Sequence, residues 1–320
     1  MNVKYLLDEI KFNAEYLLNR TEPNETPLVG FAGNRVNNVD YQLIQKELIK
    51  QKIPFHEIGY RSPSSNISIF KMTKLWITSH GPFYIPDYNL YKLTHKRKAK
   101  WLDIWHGCGT LPFVGRAKML KDYDAATVSS KFYKKELIKR DPSLEDKIYV
   151  TGLPRFDLLD PGGEPEKLVL YAPSWENPRV SVIKKKDPGL PRVLREICLE
   201  CGYDFIYRPH INESGKRQQQ MDLNRVAVLI TDYSDIANDF APLKRPTIFV
   251  DRGFKDRDFL IPLRKRGHLT SEFALQLVLH WILIGTWCPE FNSEHLNKIC
   301  TYKDRKNTER VVNLIKEMIE

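Results

Sequence analysis

VAVLITDYSDIANDFAPLKRPTIFVD, residues 226–251, decides the fold class. An apolar run, VAVLI, gives way to the polar turn TDYSD. Ile236, Phe240 and Leu243 then recur at helical spacing, and a second apolar run, TIFV, follows Lys244, Arg245 and Pro246. Short apolar runs bounded by turn residues read as buried strands, and the 3.6-residue spacing between them reads as a helix. Strand, helix, strand is the unit from which parallel sheets are built.

The alternation extends in both directions. Upstream lie LVLYAPSW (168–175), the helical LPRVLREICLECG ending at Gly202, and DFIYRPH. A break at LLDPGGEPEK, with Pro161, Gly162, Gly163 and Pro165, reads as a linker. Before it come LVGFAG (28–33), the helical VDYQLIQKELIKQK with Tyr41, Ile44 and Leu48 on one face, PFHEIG, LWITSHG (75–81), KWLDIWHG (100–107), AATVSS (125–130), the helical KFYKKELIKR, and KIYVTG (147–152). The reading is an α/β protein of two Rossmann-like domains facing a cleft, the glycosyltransferase-B type. Residues 1–160 form the first with a leading helix, and residues 161–320 the second with C-terminal helices. Ligands of such folds sit at the carboxyl ends of the strands.

SEFALQLVLHWILIGTW, residues 271–287, is the most apolar segment. Glu272, Gln276 and His280 argue against a membrane span. Two readings stand: a buried helix, or a helix lying in a membrane interface with Trp281 and Trp287 as anchors. TERVVNLIKEMIE at the end is amphipathic, with Val312, Ile315 and Ile319 at helical spacing.

Fifty basic against forty acidic residues give a formal net charge of +10. Nucleic acid, an anionic membrane or phosphorylated substrates would answer that charge. No zinc-finger spacing, aromatic RNP strand or recognition helix accompanies it, so nucleic acid is not expected. Five thinly spread cysteines fit a reducing compartment, the cytoplasm. Cys198 and Cys201 make a single CxxC with no second pair, which reads as a helix end rather than a zinc site. The N-terminal MNVKYLLDEIKFNAEYLLNR, interrupted by Lys4, Asp8, Glu9 and Lys11, reads as an amphipathic helix and not as a signal peptide. Asn19-Arg20-Thr21 is accordingly no glycosylation signal. No uncharged apolar run reaches the roughly 18–20 residues of a spanning helix.

Polar or glycine-rich clusters close several strands: AGN (32–34), SHG (79–81), WHG (105–107), TGLPR (151–155), APSWEN (172–177), RPH (208–210) and TDYSD (231–235). Their repetition at one end of alternating strands points to a site. Ser234 suits an N-cap, and a helix start there would attract phosphate, although Asp235 would repel it. Arg208 or His210 could hold a pyrophosphate oxygen, or Arg208 could pair with an internal carboxylate. Arg155 and Asp157 are either ligands or structural loop residues. His106 could take a proton from an attacking hydroxyl, or serve only the core, while Gly107 leaves room for a substrate to approach.

Taken together, WHG at 105, GLPRFDLL at 152, LYAPSW at 170, RPH at 208, ITDYSDIANDF at 230 and RPTIFV at 245 resemble the CDP-glycerol glycerophosphotransferases. NNVDYQLIQKEL and LWITSH also fit, so the resemblance spans roughly residues 28–260. It implies a two-Rossmann fold working at the inner face of the cytoplasmic membrane on teichoic acid or capsule polymers. Glycerol phosphate would pass from CDP-glycerol to a glycerol-phosphate, lipid-linked or glycan acceptor, with release of CMP. His106 would be the base. His210 would bind the donor pyrophosphate with Arg208 beside it, and Asp232 and Ser234 would hold the donor, with Thr231, Ser174 and Arg155 as further donor-side candidates. Gly33, Asn34, His80 and Gly107 are the acceptor-side candidates. No DxD pair or metal cluster is evident, so neither an obligatory metal nor another cofactor is expected.

The chain departs from the family at several points. After WHG it reads Cys108, Gly109, Thr110, Leu111 and Pro112 in place of threonine, proline, leucine and lysine. Arg116 or Lys118 could replace the lysine's charge. Glu176 stands where arginine is common, Ile211 follows RPH, and Asp235 replaces a serine. Another CDP-activated polyol such as CDP-ribitol, a nucleotide sugar, or a non-catalytic phosphate- or membrane-binding role therefore stay open as alternatives.

Overall fold

The computed structural model describes residues 28–33, 38–58, 72–79, 81–82, 85, 88–97, 99–105, 107, 114–174, 187–210, 221–253, 261, 263–289 and 293–320. The chain divides into two compact units. One holds residues 1–106, 113–157 and 301–320, the other residues 107–112 and 158–300.

In the first unit, six strands pair in parallel: β1 (Leu28–Ala32), β2 (Phe55–Ile58), β3 (Thr73–Thr78), β4 (Lys100–Asp103), β5 (Ala125–Val128) and β6 (Ile148–Val150), in the order β2-β1-β3-β4-β5-β6. Helices α1 (Val39–Lys50), α2 (Tyr88–Thr94), α3 (Val114–Leu120) and α4 (Lys131–Arg140) connect them. Asn38 starts α1, its side chain accepting from the amides of Asp40 and Tyr41. Tyr41, Ile44 and Leu48 then pack on Val29, Phe31, Leu75 and Ile77. Gly30 lies under the Trp76 ring, which a Cβ would meet at 2.2 Å, so glycine is what lets the two strands' side chains fit.

The second unit repeats the plan. Strands β7 (Leu168–Tyr171), β8 (Asp204–Tyr207), β9 (Val228–Thr231), β10 (Thr247–Val250) and β11 (His268–Thr270) are parallel in the order β11-β10-β9-β7-β8. Its helices are α5 (Leu190–Glu200), α6 (Ile236–Phe240), α7 (Glu272–Leu283) and α8 (Ser293–Ile299). Leu190, Leu194 and Cys198 of α5 and Leu275, Leu279 and Ile282 of α7 cover Val169, Tyr171, Val228 and Ile230. Helix α7 is thus buried on one face, while Phe273, Leu277 and Trp281 face solvent.

The final helix, α9 (Asn307–Ile319), follows the second unit in sequence but belongs to the first unit's core. Val311, Val312 and Ile315 are fully buried against that core. Three such side chains contribute at most roughly 5–9 kcal/mol, which makes α9 part of that unit and no loose appendage.

Candidate functional site

Strand order reverses between β1 and β3 in one sheet and between β7 and β9 in the other. In open α/β sheets such a reversal opens a crevice at the strands' carboxyl ends. Each of these places carries residues singled out in the sequence.

At the second sheet, β7 runs out through Ala172 to Ser174, and β9 through Thr231 to Asp232. Thr231 Oγ1 donates to the Ala172 carbonyl at 2.7 Å, pinning the strand ends together. The buried Asp232 carboxylate accepts from the Ser174 amide at 2.9 Å and the Tyr233 amide at 2.6 Å through one oxygen. Asp232 therefore shapes both loops. Ser174 Oγ, by contrast, is buried without a hydrogen-bond partner among the described residues. A buried hydroxyl left unpaired costs about 1–3 kcal/mol, so such an atom calls for a ligand or a water.

Ser234 Oγ accepts from the Ile236 amide at 3.4 Å, a long bond, and the regular helix begins only at Ile236. Asp235 Oδ1 accepts from Asn238 at 3.1 Å, and Asn238 Oδ1 accepts from buried Arg266 at 3.0 Å. The carboxylate that departs from the family pattern is thus engaged within its own turn. At the end of β8, the Arg208 amide donates to the Tyr171 carbonyl at 2.8 Å. Burial draws the half-buried Arg208 guanidinium below its ordinary pKa, and Asp239 opposes the shift. His210, also half-buried, stands two residues further on.

At the first sheet, Asn38 Nδ2 donates to the buried Ser79 Oγ at 3.0 Å, joining the start of α1 to the end of β3. Tyr41 OH donates to the Ala32 carbonyl at 3.1 Å, across the same reversal, and burial pushes this phenol's pKa well up. Gly33 has φ 132°, a left-handed conformation that favours glycine. Asn34 and His80 lie outside the described residues. The sequence offered one overlooked signal here: Asn38 before an apolar-periodic stretch is an N-cap.

His106 and residues 108–113 also lie outside the described residues, and Gly107 is buried. What leads into WHG is described. Asp103 ends β4 fully buried, and its Oδ1 accepts from the Trp105 amide at 2.9 Å and from Arg116 Nη2 at 3.0 Å. The Arg116 guanidinium also lies 4.1 Å from the centre of the Trp105 ring. Arg116 is thus paired with Asp103, and Lys118, the other candidate for the lysine's charge, is exposed. Among the described residues, no group of three or more His, Cys, Asp or Glu side chains is placed to hold a metal ion.

A sequence model of the CDP-glycerol:poly(glycerophosphate) glycerophosphotransferase family matches residues 36–317. The chain belongs to that family. It is 23% identical, over 348 aligned positions, to the teichoic acid poly(glycerol phosphate) polymerase of Bacillus subtilis (strain 168). The match takes in 88% of this chain and 45% of that protein, so the chain spans less than half the length of this relative. Its fold is similar to that of a histidine-to-alanine variant of the wall teichoic acid polymerase TagF, with a TM-score of 0.73 at 17% identity over 99% of this chain and 96% of the other. It is also similar to a histidine-to-asparagine variant of TagF with CDPG, with a TM-score of 0.71 at 14% identity over 100% and 98% of the two chains.

The GLPRFDLL stretch that helped mark the family is an architectural joint in this chain. Gly152 has φ 79°, and a Cβ there would fall 1.8 Å from Asn307 Oδ1 at the start of α9. Arg155, a donor-side candidate in the sequence, instead binds Asp40 in the first unit, with its Nη1 2.6 Å from Oδ2 and its amide 2.8 Å from Oδ1. Asp157 takes the amides of Asn307 and Thr308 and both their side chains at 2.7–2.9 Å, capping α9 from a distant loop. Gly152 and Asp157 thus place the last helix, while Arg155 is paired with the buried Asp40 rather than left open for a donor.

Proposed function

We propose that the protein transfers glycerol phosphate, or a closely related polyol phosphate, from a CDP-activated donor to an acceptor hydroxyl in cell-surface polymer synthesis. The observation that carries this reading is the unpartnered, buried Ser174 hydroxyl beside the Asp232-organised turn, at a strand reversal in a chain of this family. Ser174, Arg208, His210 and Ser234 are the proposed donor contacts, with Thr231 and Asp232 shaping the loops. Gly33, Asn34, His80 and Gly107 are proposed on the acceptor side. We assign His106 as the base on the strength of the family resemblance.

In the reaction the acceptor oxygen attacks the β-phosphorus in line and its proton passes to His106. The bond from that phosphorus to the bridging oxygen breaks, and CMP leaves with that oxygen. Positively charged and hydrogen-bonding donors around the phosphates offset the charge that gathers on them. The first unit then serves the acceptor and the second the nucleotide. By family likeness the reaction belongs at the cytoplasmic face of a membrane, on a glycerol-phosphate, lipid-linked or glycan acceptor. Among the described residues no helix is long and apolar enough to cross a membrane.

The test is a donor screen with purified protein and a glycerol-phosphate-terminated acceptor. CDP-glycerol or CDP-ribitol should release CMP, and His106→Ala should abolish release. UDP or GDP release from a nucleotide sugar, without CMP, would replace this reading with a sugar transferase. Tight donor binding with no turnover on any acceptor would replace it with a non-catalytic relative.

A further inference from the structure

The CxxC of the sequence ends α5, and the fold gives its two thiols different surroundings. Cys198 is buried in the second unit's core, while Cys201, one helical turn on, is half-buried at that core's margin. Both are free thiols. Cys201 Sγ lies 3.6 Å from His280 Nδ1 in the last turn of α7, within hydrogen-bond reach of a thiol.

These surroundings sort the two sulfurs by role. The thiolate is the reactive form of cysteine. The carbonyl end of α5 disfavours a thiolate at Cys201. His280 counters this by taking the thiol proton, and the carbonyl end of α7, where it stands, favours the imidazolium that results. Burial pushes the Cys198 thiol up to about 12, and nearby Cys201 adds to the shift, so Cys198 does not open the attack.

The end of α5 lets the two sulfurs meet. Side chains three apart on a helix have Cβ atoms about 5–6 Å apart, and a disulfide needs about 3.5–4.5 Å. In a 3₁₀ turn residues three apart eclipse, which closes that difference. The helix already tightens here. With Gly202 at φ 75°, its amide donates to the Leu199 carbonyl at 3.0 Å, and the Tyr203 amide donates to the Cys198 carbonyl at 2.8 Å. One further step asks the Cys201 amide to give up its 3.1 Å bond to the Ile197 carbonyl.

We propose that Cys201, with His280 as its base and Cys198 as the resolving thiol, is a site of reversible oxidation by low-molecular-weight disulfides. The Cys201 proton passes to His280, and the thiolate attacks one sulfur of the small disulfide. That S–S bond breaks, and the leaving thiolate takes the proton from His280 and departs as a thiol. Cys198 then attacks the Cys201 sulfur, its proton going to the second departing thiolate, and the bond between Cys198 and Cys201 closes. Two protein thiols are oxidised, and one small disulfide is reduced to two thiols. The proposal does not depend on the transfer reaction, because the thiols are read with neither donor nor acceptor present.

The reduced full chain is exposed to glutathione disulfide, remaining thiols are alkylated at intervals, and the peptides are mapped by mass spectrometry. Cys201 should be lost about tenfold faster than the more exposed Cys288, and should end in a disulfide with Cys198 that dithiothreitol reverses. Cys198→Ala should stop at a glutathione adduct on Cys201. His280→Ala should slow the loss of Cys201 by about tenfold and leave Cys288 unchanged. Its melting temperature should hold, because His280 is exposed. Cys201 reacting no faster than Cys288, or equally fast without His280, would overturn the site. A lasting glutathione adduct in wild type would overturn the part given to Cys198. Wild type and His280→Ala carry the decision, so it stands even where Cys198→Ala folds poorly.

Discussion

Replacing Asp157 with alanine tests whether the last helix is held by a loop 150 residues away in sequence. Helix α9 has no side-chain cap of its own: Lys306 precedes it and makes no capping bond. Its first turn relies on Asp157, which accepts from two backbone amides and two side chains. Losing the two amide bonds costs about 1–2 kcal/mol, the usual worth of a helix cap. Asn307 is buried, so its stranded Nδ2 adds about 1–3 kcal/mol. The sum, about 3 kcal/mol, should lower the melting transition of the first unit by about 6–12 °C. Calorimetry would read the transition, and limited proteolysis should show earlier cleavage within residues 301–320. Asp157→Asn should recover part of the loss, because one oxygen still accepts while the new amide opposes the Thr308 donors. A shift below about 1 °C with unchanged proteolysis would refute the joint, since nothing else described caps that helix.

Three further outcomes follow from the same geometry. Gly152→Ala should destabilise the first unit by about 2–3 kcal/mol through its clash with Asn307 and its left-handed backbone, and Asn307→Ala should lessen that loss in a double-mutant cycle read by urea unfolding. Ser174→Ala removes an atom with no partner, so its melting temperature should hold while the KM for the CDP-activated donor rises about tenfold, and an unchanged KM would remove Ser174 from the donor site. Burial pulls His295 down to about 3, with Arg266 and Lys298 adding to it, and burial alone pulls His56 down to about 4. Between those values and 6.5 the unfolded chain binds the protons, so stability should be greatest above pH 6.5 and fall as pH drops toward 4. The slope should reach up to ~1.4 kcal/mol per unit for each histidine, and His295→Gln should flatten the curve in chemical denaturation at stepped pH.

Much of this was legible in the sequence because fully buried parallel strands are written as continuous apolar runs. LVLY, VLIT and TIFV show no alternation, and each lies in the interior of its sheet. Strand β11 leaves no such run because it has only three residues at the sheet's edge, with His268 and Leu269 half-buried. Helices α2, α3 and α8, each seven residues long, span only about two turns, and no turn motif such as TDYSD marks them off. The apolar stretch at residues 271–287 supported two readings because α7 is apolar on both faces, and only burial separates the face in the core from the one outside. At the strand ends, a motif's letters gave position but not purpose. TDYSD and APSW meet through Asp232, whereas the arginine of GLPRFDLL meets Asp40. Nothing local distinguishes an arginine that will find a phosphate from one that will find a buried carboxylate. Asp40 lies 115 residues from Arg155, and only the folded chain brings them together.

The repeated strand order has a chemical consequence. A single reversal gives one crevice at the carboxyl end of a sheet and suits one ligand. Here each unit has its own, and the two are built differently. Among the described residues, the first carries neutral groups at the β1/β3 reversal that are paired, Asn38 with Ser79 and Tyr41 with the Ala32 carbonyl. The second holds a carboxylate that spends its bonds on two loops and leaves a buried hydroxyl unpaired. A crevice with its polar groups satisfied can receive a neutral polyol with little rearrangement. One with an unspent hydroxyl and a half-buried arginine on the neighbouring strand end gains more from an anion. Ser174 and Arg208 accord with the proposal that the second unit takes the nucleotide and the first the acceptor. Exchanging the polar groups tests it. Ser79→Ala should raise the KM for the acceptor and not for the donor, Ser174→Ala the reverse, and both effects falling on one substrate would refute the division.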